Sequence, residues 1–296
     1  MLLSSNVAET DYAPWSAAST YALGARVLYE PAHHCYECLA EGTLGGAVPS
    51  ANPSLWLDLG PTNRWAMFDK QVGTTTTSDA GTNSITVVLA AGRINSLALL
   101  EVDAELVTVQ LVANGEIVYS ATADMNTGTN VGDWYQYFYE PIYLQNTLVI
   151  TNLLDATLLA IPAYGEGVLT VTLSRPLAAV SCGVMVVGLV AELGSTLLAP
   201  TVGITDYSIK TLDAFGNVTL TQRRFSKRMT AKVMVRSSAV DNVTRLMNQY
   251  RATPLVWLGS DGVYANMVLY GYYKDYTMTI TNNATSTLDT QIEGLT

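Results

Sequence analysis

The feature that most restricts the fold is a two-residue alternation of apolar and polar side chains, broken by a tight-turn signal. Leu106-Val107-Thr108-Val109-Gln110-Leu111-Val112 is followed by Asn114-Gly115 and then by Glu116-Ile117-Val118-Tyr119. Period-two alternation sets one row of side chains on each face of a strand. Asn-Gly supplies two residues that tolerate positive φ, which a two-residue hairpin turn needs. Ser84 to Leu89, Ser96 to Val102, Leu148 to Leu159 and Val168 to Leu173 read as further strands. Short strands at this spacing predict a central β-sandwich over residues 62–205.

A different texture precedes it. Residues 1–61 are expected to hold a small β module, with strands at Tyr21 to Tyr29 and Cys35 to Ala40 and a loop punctuated by Gly42, Gly45, Gly46, Pro49 and Pro53. Fewer than fifty residues bury little surface, so the rings must fill much of its interior. The join is Thr62-Asn63-Arg64-Trp65-Ala66-Met67-Phe68-Asp69-Lys70. It lacks the Gly/Ser or Pro richness of a free linker and predicts a packed seam pinned by Trp65 and Phe68.

Residues 206–296 predict a third, β-rich α+β domain. Thr211 to Leu220 reads as a hairpin turning at Gly216-Asn217, and Met229 to Arg236 as an alternating strand. Ser237-Ser238 offers an N-cap, and Val240, Val243, Met247 and Tyr250 recur at helical spacing. One helix is therefore expected near 239–251, closed by Pro254. The fold class is mainly β.

The net charge of −10 argues against a nucleic-acid partner, which needs a basic surface to offset phosphate. The charge is unevenly spread. Nine basic residues lie between Lys210 and Arg251 against two acidic ones, whereas the chain before Lys210 carries 19 acidic and five basic residues. Such a chain is suited to binding copies of itself, and its low charged fraction of 14% suggests surface buried against other subunits. Three cysteines make no even disulfide framework, and Met1 to Asn6 has neither the basic start nor the apolar core of a secretory signal. Leu177 to Leu193 is the longest apolar run. It is interrupted by Ser181, Gly183 and Gly188 and is too short for ~20 residues of bilayer, so two buried strands are expected and no membrane span.

Little in the chain suits catalysis. His33-His34-Cys35-Tyr36-Glu37-Cys38 has metal-ligand residue types but no second pair, and Cys35 and Cys38 would point to opposite faces of a strand. No metal and no cofactor are expected. Both histidines are adjacent, in a module too small to house a cleft for nucleophilic chemistry. Glu101, Asp103 and Glu105 alternate as the solvent face of a strand rather than as a glycosidase pair. Phosphate and dinucleotide loops are missing from the sequence. The protein is not expected to be an enzyme.

Two clusters point to contact surfaces. Asp133 to Tyr143 is the densest aromatic stretch, and Trp134, Tyr135, Tyr137 and Tyr139 are candidate interface residues; the rival reading is a sugar site, since tyrosine and tryptophan also stack on pyranose rings. Arg223, Arg224, Lys227 and Arg228 open a strand whose charged side is expected to dock on the acidic half of a neighbouring copy.

Trp15, then Tyr21-x-x-Gly24-x-x-Val27, then Tyr36, Pro49 and Trp56 resemble the chitin-binding-type carbohydrate-binding modules of families 5 and 12. That resemblance implies that exposed rings at Trp15, Tyr36 and Trp56 stack on sugar; the reading from size alone is that they are core. Asp206-Tyr207-Ser208, Phe215-Gly216, Arg223 to Arg228, Trp257-Leu258-Gly259 and Tyr270 to Asp275, with the join after the module, resemble tail and baseplate proteins of tailed bacteriophages. The resemblance implies a virion structural protein of the tail tip or baseplate. It would be assembled in the bacterial cytoplasm as a homo-oligomer with other tail proteins. The alternative it implies is a receptor-binding tail protein that attaches to host cell-surface glycan.

Overall fold

The computed structural model describes residues 1–128, 134, 146–151, 161–162, 164–197, 200–212, 215–259 and 267–295. It is mainly β, as the alternation requires. The chain divides into two compact units: Met1–Ile150 with Leu159–Gly188, and Thr151–Leu158 with Leu189–Thr296.

The first unit begins with β1 (Leu2–Ser5), β2 (Thr20–Tyr21), β3 (Arg26–Tyr29), β4 (His34–Cys38), β5 (Thr43–Leu44) and β6 (Trp56–Pro61). β3, β4 and β6 form an antiparallel sheet in that order, and β2 pairs β5. β1 does not join this module. It pairs with a sandwich strand, Leu2 opposite Leu89. The chain then continues as β7 (Thr76–Thr77), β8 (Ser84–Ala90), β9 (Ser96–Asp103), β10 (Leu106–Ala113), β11 (Glu116–Asp124), β12 (Thr147–Ile150), β13 (Val168–Ser174) and β14 (Ser181–Gly188). These make two sheets, ordered β1-β8-β13-β10-β11 and β12-β9-β14-β7.

Period-two burial follows directly from the sequence. Ile85, Val87 and Leu89 on β8, Val107, Val109 and Leu111 on β10, and Leu169, Val171 and Leu173 on β13 are all buried, while their neighbours are not. The β10–β11 hairpin turns at Asn114 (φ 53°) and Gly115 (φ 81°), the positive-φ pair the dipeptide announced. The run Leu177 to Leu193 holds one strand, not two. Leu177 and Leu189 are exposed at its ends, and only Cys182 to Met185 is a continuous buried stretch. No helix among the described residues is long and apolar enough to cross a membrane.

The join at 62–70 is packed, and its innermost residues are not the two aromatic ones. Ala66 and Met67 are the buried pair, in a 3-10 turn lying against β14, whereas Trp65 and Phe68 are half-buried. Trp65 stacks instead on His33, ring centres 4.3 Å apart. The Met67 N–H donates to Thr76 Oγ1 at 3.0 Å, and Asn63 exchanges two hydrogen bonds with the Thr77 backbone.

The second unit consists of β15 (Ser195–Thr196), β16 (Thr201–Asp206), β17 (Ile209–Leu212), β18 (Val218–Thr221), β19 (Phe225–Arg236), α1 (Val240–Gln249), β20 (Leu255–Leu258), β21 (Val268–Ile280) and β22 (Thr285–Gly294). β19, β22, β21 and β20 are antiparallel neighbours, and both β15 and β16 pair with β19. Met229, Ala231, Val233 and Val235 of β19 meet Leu269, Tyr273, Leu288 and Ile292 in one core, together with Val243 and Met247 of α1. The Tyr273 hydroxyl donates to the Met247 carbonyl at 2.7 Å, tying strand to helix. Ser237 and Ser238 do not cap α1. The N-cap is Ala239, and the Ser237 hydroxyl donates to the Asn282 carbonyl.

Candidate functional site

The three rings proposed as sugar platforms sit mainly inside the module. Trp56 is 2% exposed and Tyr36 5%, in a cluster with Val27 and Cys38. Trp56 donates its indole N–H to the Ala47 carbonyl at 2.9 Å and meets Tyr21 edge-on at 5.2 Å. Tyr36 meets Tyr29 edge-on, and Tyr29 in turn meets Trp15 at 5.4 Å. Only Trp15 is half-buried. A ring whose faces are covered by its own core cannot stack on a pyranose, and Tyr36 and Trp56 are covered in this way.

Beneath this sheet lies a polar cluster. Glu9 accepts from Thr62 Oγ1 at 3.0 Å, lies 2.9 Å from His33 Nδ1 and 3.6 Å from the Arg64 guanidinium. Arg64 also donates to the Val7 carbonyl. It clamps the amino-terminal segment to the join. No group of three or more metal-ligating side chains occurs among the described residues. Cys35, Cys38 and Cys182 are all free thiols and all buried. Cys35 and Cys38 are both buried although they lie on opposite faces of β4, because each face is covered. Burial, then the potential of Asp11, Glu9 and Asp58, pushes the Cys35 thiol from 9.0 up to about 11. Burial and Glu101 push Cys182 up to about 12. Such thiols are poor nucleophiles at neutral pH. Asp103 and Glu105 both face Arg175, at 2.8 and 3.5 Å.

Of the aromatic cluster, Trp134 is 78% exposed; Tyr135, Tyr137 and Tyr139 lie outside the described residues.

The basic strand is partly neutralised within its own sheet. Arg228, Thr230, Lys232, Met234 and Arg236 alternate on the face of β19 away from α1. Arg228 stands opposite Glu293, and Lys232 opposite Asp289 with 3.5 Å between their charged atoms. Lys274 also reaches Glu293. Gly203, opposite Arg228 on β16, leaves room for the guanidinium, which would lie 3.2 Å from any Cβ there. Arg223, Arg224 and Lys227 lie outside this ladder and are exposed.

Next to them is a feature sequence reasoning did not single out as a site. Among the described residues, β17 and β18 pair only with each other, and none of their eight residues is buried. Register places Leu212 opposite Val218 and Lys210 opposite Leu220, so these four share one face. Leu212 is 65% exposed, Val218 51% and Leu220 72%, and Phe215 at the turn is 91% exposed. The alternation in Thr211-Leu212 and Val218-Thr219-Leu220 was legible as a hairpin. What it could not reveal is that, among the described residues, nothing covers the apolar face. The hairpin leaves β16 at Asp206 and returns into β19 at Phe225, so Arg223 and Arg224 lie in the segment that joins its second strand to the sheet.

The chain matches no protein-family model, and a search of curated proteins finds no match.

Proposed function

We propose that the chain is a structural subunit of the tail tip or baseplate of a tailed bacteriophage, assembled in the host cytoplasm into a homo-oligomer that contacts other tail proteins. The observation that carries this reading is the β17–β18 hairpin: a two-stranded element, apolar on one face, outside the core of its own unit. Contiguous exposed apolar surface of this kind marks a protein contact. The division of charge supports it further. The first unit has 16 acidic residues against five basic, a net of −11, and the second has nine against ten, a net of +1. The basic residues between Lys210 and Arg251 give the second unit a local surface complementary to the acidic first unit of another copy, which favours a head-to-side arrangement. Attachment to host glycan through the module's rings is disfavoured by the burial of Tyr36 and Trp56.

The test is the native mass of the purified protein with negative-stain images of the same sample. A closed assembly of three or six copies is the expected result, because repeated head-to-side contacts close into rings. A single-chain mass of 31.8 kDa at every concentration sampled would overturn the reading.

A further inference from the structure

We infer that the β17–β18 hairpin is an assembly arm that seats its Leu212–Val218–Leu220 face on the acidic first unit of a second copy of this chain. The inference rests on the oligomeric reading above and adds the segment that binds and the surface that receives it.

An isolated two-stranded hairpin is marginal in water, since it has no third strand or helix against which to bury a face. This one nevertheless exposes three aliphatic residues on the face they share with Lys210, and a phenylalanine at the turn, while its opposite face carries Thr211, Thr219 and Thr221 with Ile209 as its one apolar residue. Three of the four side chains on one face are aliphatic and three of the four on the other are threonine, so the hairpin is patterned for a cover that the described residues do not supply. Lys210 lies in the apolar face, and Arg223, Arg224 and Lys227 flank its root. A cover therefore needs apolar contact together with negative charge.

The first unit of a neighbouring copy offers both. Its net charge is −11. It also exposes isolated aliphatic side chains, Leu57 at 49% and Ile117 at 62% among them, each beside a carboxylate in sequence, Asp58 and Glu116. Arm and receiver are different surfaces, so the contact is head-to-side; it closes into a ring when the rotation per copy permits. The association is electrostatically assisted and weakens with salt.

Two measurements test this on the full chain. In the first, light scattering after size exclusion compares the wild type with Leu212→Ser/Leu220→Ser. Loss of two buried leucines predicts about a hundredfold or greater weakening of association. The variant should run at the single-chain mass where the wild type is oligomeric, with unchanged circular dichroism. In the second, a photo-crosslinking phenylalanine analogue replaces Leu220, and the crosslinked peptides are mapped. Intermolecular products ending within Met1–Ile150 or Leu159–Gly188 are expected. An oligomeric wild type whose mass the double variant does not alter would overturn the arm and leave the oligomeric reading standing. Crosslinks confined to the second unit of the partner would overturn the receiving surface. A monomeric wild type would overturn both the arm and the oligomeric reading.

Discussion

Replacing Trp56 by alanine should unfold the amino-terminal module while leaving the sandwich folded. Trp56 is 2% exposed and touches the cluster of Val27, Tyr36 and Cys38. Removing a buried tryptophan side chain costs about 3–5 kcal/mol in lost transfer energy and residual cavity. The edge-on contact with Tyr21 at 5.2 Å accounts for ~0.5–1.5 kcal/mol of the interaction beyond burial. Loss of the indole N–H leaves the Ala47 carbonyl without its donor, worth ~1 kcal/mol more. A core this small rarely supplies more than about 3–5 kcal/mol in total, so the substitution removes all or most of it. Hydrogen exchange read by mass spectrometry separates the two regions. Peptides over β3, β4 and β6 should lose protection, and peptides over β8, β10 and β13 should keep theirs. Trp56→Phe, which keeps a ring and loses the hydrogen bond, should be milder by roughly half. Unchanged protection over 26–61 in Trp56→Ala would refute the reasoning, since it would mean the ring is not part of the module's core and is available to a ligand.

Other consequences are as direct. Cys35 and Cys182 should resist alkylation in the native protein at pH 8, because their thiols ionise only near about 11 and about 12. Both pKa values are raised on folding, so the stability these thiols carry is fully present below pH 9.0, the ordinary thiol value. It is lost as pH rises through about 11 and about 12, which a series of urea melts would reveal as a decline starting above pH 9.0. Tyr273→Phe deletes the donor to the Met247 carbonyl and should destabilise the second unit by about 1–2 kcal/mol, measured as a shift in its urea midpoint without a change in slope. Reversing Arg223, Arg224, Lys227 and Arg228 to Glu should abolish assembly and leave the protomer folded. An unchanged oligomer would show that the root of the hairpin takes no part in the contact.

Much of the architecture was legible because alternation and turn chemistry are local. The Asn114-Gly115 hairpin, β8, β9, β10 and β13 of the sandwich, the β17–β18 hairpin and the helix over Val240–Gln249 all follow from side chains within a few positions of each other, whereas the strand expected over Leu148 to Leu159 is seen as Thr147–Ile150 and its residues 152–159 lie outside the described residues. The packed character of 62–70 was readable for the same reason, from a bulky composition that no free linker has. Local pattern did not say which large side chain would be innermost, and there Met67 displaced Trp65 and Phe68. Nor did it separate Leu177 to Leu193 into one strand with exposed ends, since an apolar run looks the same whether or not partners cover it.

The sequence by itself determined a β protein, the register-setting turns, the charge asymmetry and the three aromatic positions of the module. Only the tertiary structure decided what covers each face. It turned Tyr36 and Trp56 inward, because a sheet of three short strands has few other side chains to fill its interior. It paired Lys232 with Asp289 and set Arg228 opposite Glu293, because antiparallel register brings residues some sixty positions apart in sequence side by side. It left Leu212, Val218 and Leu220 uncovered by the same logic. Alternation specifies that a strand has an apolar face, whereas burial depends on whether another part of the chain, or another chain, comes to meet it.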